Sequence, residues 1–201
     1  IAWYSFRIYS ISEQRESKLL GSAFLLISFS YFIKAITNML ILTEIKDGFR
    51  VFSLESLNDF GVIAVYTHIF LFIAGLITLA YLTFRVKSAR VYSLLIFTSI
   101  SAIFLSVDKG EAFSFLTSLL LAYIVVHYLV LYYRKRSNEL LLLLIAFLGL
   151  FLSGLELIFA SDYTMNYVLS HFVELFSYIL MSICVGIVLR KRDYEQKKNK
   201  T

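Results

Sequence analysis

Six stretches of predominantly apolar residues, each about eighteen or more long and almost free of charge, divide this chain of 201 residues. A helix rises about 1.5 Å per residue, so runs of that length suit crossing a hydrocarbon core about 30 Å thick. Apolar residues make up 59% and charged residues 16% of the chain, and the mean hydropathy is +0.78, which excludes a disordered polar chain and argues against a water-soluble globule. The expected fold is all-α, a polytopic transmembrane helix bundle.

The spans fall at about 20–42, 60–84, 90–107, 112–133, 139–160 and 166–189, bounded by charged or polar clusters. They form a single bundle domain over 1–189, followed by a basic tail, 190–201. The opening segment, Ile1 to Tyr9, is apolar and aromatic but too short to cross, and no Met precedes it. It reads either as the tail of a cut first span, which makes the protein a seven-helix type, or as an interfacial helix anchored by Trp3 and Tyr4. It lacks the basic leader and small-residue cleavage site of a secretory signal. Proline is absent and there are eight glycines, so the helices should run unbroken. The single cysteine, Cys184, permits no disulfide within one copy. The connection from Thr43 to Asp59 mixes Phe49, Val51, Phe52 and Leu54 with charge and is expected to lie along the membrane surface.

Alternating the connections places Arg7, Arg15, Lys18, Arg85, Lys87, Arg90, Arg134, Lys135, Arg136 and the six bases of the tail on one side: fifteen of the nineteen Lys and Arg. The other side holds Lys46, Arg50 and Lys109 with seven carboxylates, and Lys34 lies within a span. By the positive-inside rule the basic side, and with it the C-terminus, is cytoplasmic, and the expected location is the plasma membrane. The tail reads as an anchor at anionic headgroups, not as a nucleic-acid contact.

A titratable side chain in hydrocarbon costs several kcal/mol unless it faces protein, water or a partner, so such residues are functional candidates. Lys34, His68, His127, Glu156, His171 and Glu174 qualify. Lys34, His68 and Glu174 each lie eight residues below the outer end of their span, roughly 12 Å deep, with His171 and Glu156 a little higher and His127 much deeper, at about 22 Å. Ser170, His171, Glu174, Tyr178 and Ser182 form one polar stripe at helical spacing, and Ser30, Tyr31, Thr37 and Asn38 surround Lys34. Small residues share the face of His68 (Gly61, Ala64, Gly75) and that of Glu156 (Ala146, Gly149, Ser153), so both faces should meet a neighbouring helix closely.

These positions predict a polar cluster in the outer half of the bundle, built from Lys34, His68, Glu156, His171 and Glu174. It has three competing readings: a structural network in which Lys34 pairs with Glu174, a ligand- or proton-sensing pocket, or a metal or haem site. The metal reading rests on His68, His171 and Glu174, since His171 and Glu174 at i, i+3 place two ligand types on one face. A haem held by His68 and His171 lacks the further His pairs that usually accompany one, so no cofactor is expected. His127, between Tyr123 and Tyr128, should be hydrogen-bonded between helices.

No Ser, His and Asp set falls at one depth and no glycine-rich phosphate loop is present, so the chain is not expected to be an enzyme. The intramembrane hydrolases of the ceramidase and adiponectin-receptor class call for histidines at i and i+4 in the last span, where Leu175 follows His171 instead. Microbial rhodopsins need a retinal-binding Lys there, and no base precedes Arg190.

The final span, SHFVELFSYILMSICVGIVLRKR from Ser170 to Arg192, resembles the closing helix of prokaryotic, particularly archaeal, multi-helix membrane sensor regions that precede histidine-kinase or cyclase outputs. The resemblance covers about 23 residues and makes His171 the counterpart of a histidine near the outer surface. It implies a sensor-like bundle that signals by helix repacking to a cytoplasmic or membrane partner through the basic loops, here without an output domain after the last span. An accessory subunit using its aromatic flank as an interface is the alternative, and a transporter or ion-conducting protein the third, weakened by the lack of Pro and of matched inverted halves.

Overall fold

Absence of Pro and scarcity of Gly let helix propagate wherever the chain is apolar, and every regular element among the described residues is a helix. The computed structural model describes residues 1–47, 54–84, 88–159 and 164–198, with the backbone alone described at 41–47, 54–60, 156–159, 164–167 and 192–198. The elements are α1 (Ala2–Ser12), α2 (Arg15–Asp47), α3 (Leu54–Phe84), α4 (Ala89–Leu105), α5 (Lys109–Lys135), α6 (Asn138–Phe159) and α7 (Thr164–Lys198).

Five of these helices, α2, α3, α5, α6 and α7, are long and apolar enough to cross a membrane. The sixth expected span is shorter than the sequence suggests: α4 has 17 residues, because Ser106 leaves the helical conformation. At 1.5 Å per residue it covers about 25 Å, less than a typical hydrocarbon core. The long connection expected over Thr43–Asp59 is largely helix. With no Pro or Gly in 43–47 or 54–59 to stop them, α2 runs on to Asp47 and α3 already begins at Leu54. Phe49, Val51 and Phe52 lie outside the described residues. The basic tail, too, is mostly a continuation of α7, which extends to Lys198.

Reversals between helices use residues that tolerate left-handed backbone. Glu13, at φ 52°, ends α1 with its N–H on the Tyr9 carbonyl, and two residues separate the helices of this hairpin. Arg136, at φ 44°, ends α5 in the same way through the Tyr132 carbonyl, and α6 follows after Ser137. At the other end of α5, Asp108 Oδ1 accepts from the N–H groups of Gly110 and Glu111 at 2.9 and 3.0 Å, satisfying two amides that the first turn leaves open.

The helix α3 is the most enclosed: half of its apolar window is buried, against 22–28% in the other four spanning helices. It packs on α2, α4 and α5, while α6 packs on α5 and α7. Gly75 sets the α2–α3 approach, since a Cβ there would lie 2.6 Å from Ile27 Cγ1 and 2.9 Å from the Ala23 carbonyl oxygen. Gly149 does the same for α6 and α7 against the Ser177 hydroxyl, flanked by the buried Ala146 and Ser153. These are the small-residue faces expected from the sequence, except that Gly61 meets nothing within 4 Å.

One face of α1 is buried in the bundle. Ser5 and Ile8 are enclosed, Ile8 packs with Val185 and Leu189 of α7, and a Cβ on Gly21 of α2 would lie 3.1 Å from the Phe6 ring. Trp3 faces outward under Arg7, whose guanidinium lies 5.5 Å from its ring centroid. Elsewhere the outer surface is strongly apolar: Phe29, Phe32, Phe97, Phe104, Phe115, Phe172 and Phe176 are all exposed. So much aromatic surface facing outward on spanning-length helices matches lipid, not water.

Candidate functional site

Lys34 in the second half of α2, His68 near the middle of α3, and His171 and Glu174 in the first half of α7 lie toward the same end of the bundle, because α2 enters where α3 and α7 leave. All four line one cavity of about 70 Å³. Its floor and walls come from Phe72 and Leu76 of α3, Phe113, Thr117 and Leu121 of α5, and Leu150, Ser153 and Gly154 of α6. Five helices therefore enclose it, on the side of the α2–α3, α4–α5 and α6–α7 connections.

Each ionisable group has its own local anchorage. His68 is 9% exposed, and its Nδ1 lies 2.8 Å from Ser30 Oγ and 3.0 Å from the Ser30 carbonyl oxygen. This contact ties α3 to α2. Its ring is bordered by Tyr31, Phe72 and Phe113 at centroid separations of 5.8–5.9 Å. Glu174, whose side chain is 14% exposed, receives two hydrogen bonds. Tyr31 OH of α2 donates to Oε1, and His171 Nδ1 lies 3.1 Å from Oε2. Two donors thus converge on one partly buried carboxyl group. Tyr31 also packs edge-on against Phe72 and Tyr178, so the aromatic wall holds the phenol toward Glu174.

The Lys34–Glu174 pair expected from the sequence is not formed. Glu174 is taken by Tyr31 and His171, and among the described residues no carboxylate lies within ion-pair distance of Lys34, which lines the cavity as a cation. Nor does the His68, His171 and Glu174 set close on one point: His68 Nδ1 is bonded to Ser30, and among the described residues no three His, Cys, Asp or Glu side chains are grouped to hold a metal ion. Glu156 belongs to α6, but its side chain lies outside the described residues. His127 is half-buried away from the cavity, edge-on to Tyr128 at 5.6 Å.

Polar contacts also lock the surrounding helices. Ser153 Oγ donates to the Ser170 carbonyl at 3.0 Å, and Ser170 Oγ donates to the Ser153 carbonyl at 3.1 Å, a reciprocal clasp between α6 and α7. On α5 the opposite holds: among the described residues the buried hydroxyls of Thr117 and Ser118 have no hydrogen-bond partner, and Thr117 lines the cavity. The contribution of α5 escapes a reading based on charge. Its signal is a run of hydroxyls, Ser114, Thr117 and Ser118, on one helical face at the level of His68. A second, more open groove of about 360 Å³ follows the track of α1 past Ile1, between Phe24, Ile27, Ser28 and Tyr31 of α2 and Tyr178 of α7.

No family model, curated protein or solved structure matches this chain.

Proposed function

We propose that this chain is a sensor-like integral membrane bundle of the seven-helix type. Its polar chamber, in the outer half, takes up a proton or a ligand and passes the change to a cytoplasmic or membrane partner by helix repacking. The observation that carries the reading is the gathering of Lys34, His68, His171 and Glu174 from three helices around one cavity. Groups that only neutralised one another would close up into pairs; here a cation is left facing open space. The network also spans the helices that would have to move: a change of charge at Glu174 or His171 acts on α7 directly and on α2 through Tyr31. The seven-helix assignment is supported by the packing of α1 between α2 and α7. A cytoplasmic C-terminus follows from the distribution of Lys and Arg.

The test is a spin-label distance between α2 and α7, with labels at the outward-facing Phe32 and Phe172 positions and Cys184 replaced by Ala. Lowering the pH from about 7.5 to about 5.5, through the range where histidines gain charge, should shift the distance distribution, and Glu174→Gln should abolish the shift. Identical distributions at both pH values, in wild type and variant alike, overturn the reading.

A further inference from the structure

The carboxylate that lines the chamber is engaged. Glu174 is already occupied by Tyr31 and His171, and Ser153 is occupied by Ser170. Lys34, in no ion pair among the described residues, and the unbonded Thr117 hydroxyl both border the cavity, with Ser114 beside them. Thr117 is only 7% exposed, and its hydroxyl is buried with no hydrogen-bond partner among the described residues. An orphan hydroxyl and an unpaired cation bordering one enclosed space call for an acceptor carrying negative charge.

Much of the remaining lining is apolar: Phe72, Leu76, Phe113, Leu121 and Leu150. A halide would leave these walls bare. A phosphate or sulfate dianion would bring a second charge, with only Lys34 to meet it and Glu174 nearby to repel it. We infer that the chamber is a binding site for a small monocarboxylate, its carboxylate on Lys34 and Thr117 and its short hydrocarbon body against the phenylalanine and leucine walls. The inference rests on reading the chamber as a ligand site and names the class of ligand. A cavity of about 70 Å³ limits that ligand to a few carbon atoms.

The full chain in nanodiscs, titrated calorimetrically with formate, acetate, propionate and butyrate, tests this. Each added methylene that still fits should strengthen binding about fourfold, and the trend should reverse once the cavity is full. Propionamide, which has the same shape without the charge, should bind at least tenfold more weakly than propionate. Thr117→Val, nearly isosteric, should weaken propionate several-fold, and Lys34→Met should weaken it by tenfold or more. Lys34→Arg, which keeps the charge should the Met variant not fold, should retain measurable binding. Propionamide binding as tightly as propionate, or propionate binding unchanged by Thr117→Val and Lys34→Met, overturns the assignment. If pH shifts the α2–α7 distance while no carboxylate binds, this inference fails and the sensor reading stands. If propionate binds as expected while pH leaves that distance unchanged, the sensor reading fails and the ligand site stands.

Discussion

The two ends of the bundle are held together by different means. Toward the α2–α3 and α6–α7 connections the helices are joined by polar contacts around a cavity: Ser30 with His68, Tyr31 with Glu174, and Ser153 with Ser170. Toward the tight turns at Glu13 and Arg136 they are joined by interlocked apolar side chains. Phe147 stacks on Tyr128 at 5.1 Å, Met181 and Ile124 are fully enclosed, and Ile8 packs with Val185 and Leu189. In lipid the association of helices draws little on the hydrophobic effect, so close van der Waals packing can hold one end while hydrogen bonds, each modest, hold the other. The consequence is an asymmetric molecule: a packed end that resists deformation and a polar end whose contacts can be exchanged for contacts with a ligand or a proton.

Substitutions at the two ends should separate these contributions. The largest loss is expected for Phe147→Ala, which empties a site that is 1% exposed; unfolding in mixed micelles should show a loss of about 3 kcal/mol, independent of pH. A loss below about 1 kcal/mol would mean that the apolar end is not the rigid one. Glu174→Gln keeps the shape but weakens both of its hydrogen bonds, and should cost about 1–2 kcal/mol near neutral pH. The same unfolding measurement checks it: a cost below about 0.5 kcal/mol would mean that the Tyr31 and His171 contacts contribute little to the polar end. Ser153→Ala removes one arm of the reciprocal clasp and should cost only about 0.6 kcal/mol, the typical worth of an interhelical hydrogen bond in a membrane. A loss as large as that of Phe147→Ala would erase the contrast between the two ends.

The architecture was largely legible from the residues alone, because the constraints behind it are local or one-dimensional. Apolar run length sets which helices can span, and the glycine and small-residue faces at Gly75 and Gly149 mark where backbones approach. The titratable residues that gather around the cavity announce themselves by being rare in hydrocarbon. Partner choice was not legible in the same way. Helical spacing brings Lys34 and Glu174 to one depth, but Tyr31 reaches the carboxylate first, held there by Phe72 and Tyr178. The part played by α5 was missed because hydroxyls are common in spans and usually bond their own backbone; only the neighbours show that Thr117 does not. That helix enters the Thr43–Asp59 connection from both sides was likewise hard to read, since its mixed composition hides the want of a breaker.

Charge, hydropathy and periodicity by themselves determined that this chain builds long apolar helices, which of their faces are small or polar, and at what level the ionisable groups sit. These depend on distance along one helix, which spacing encodes directly. Which donor meets which acceptor, which hydroxyl is left without a partner, and that a cavity remains between five helices were decided only by the tertiary structure. Each of those depends on the crossing of helices far apart in the chain and on which of several candidate side chains wins the same position in space.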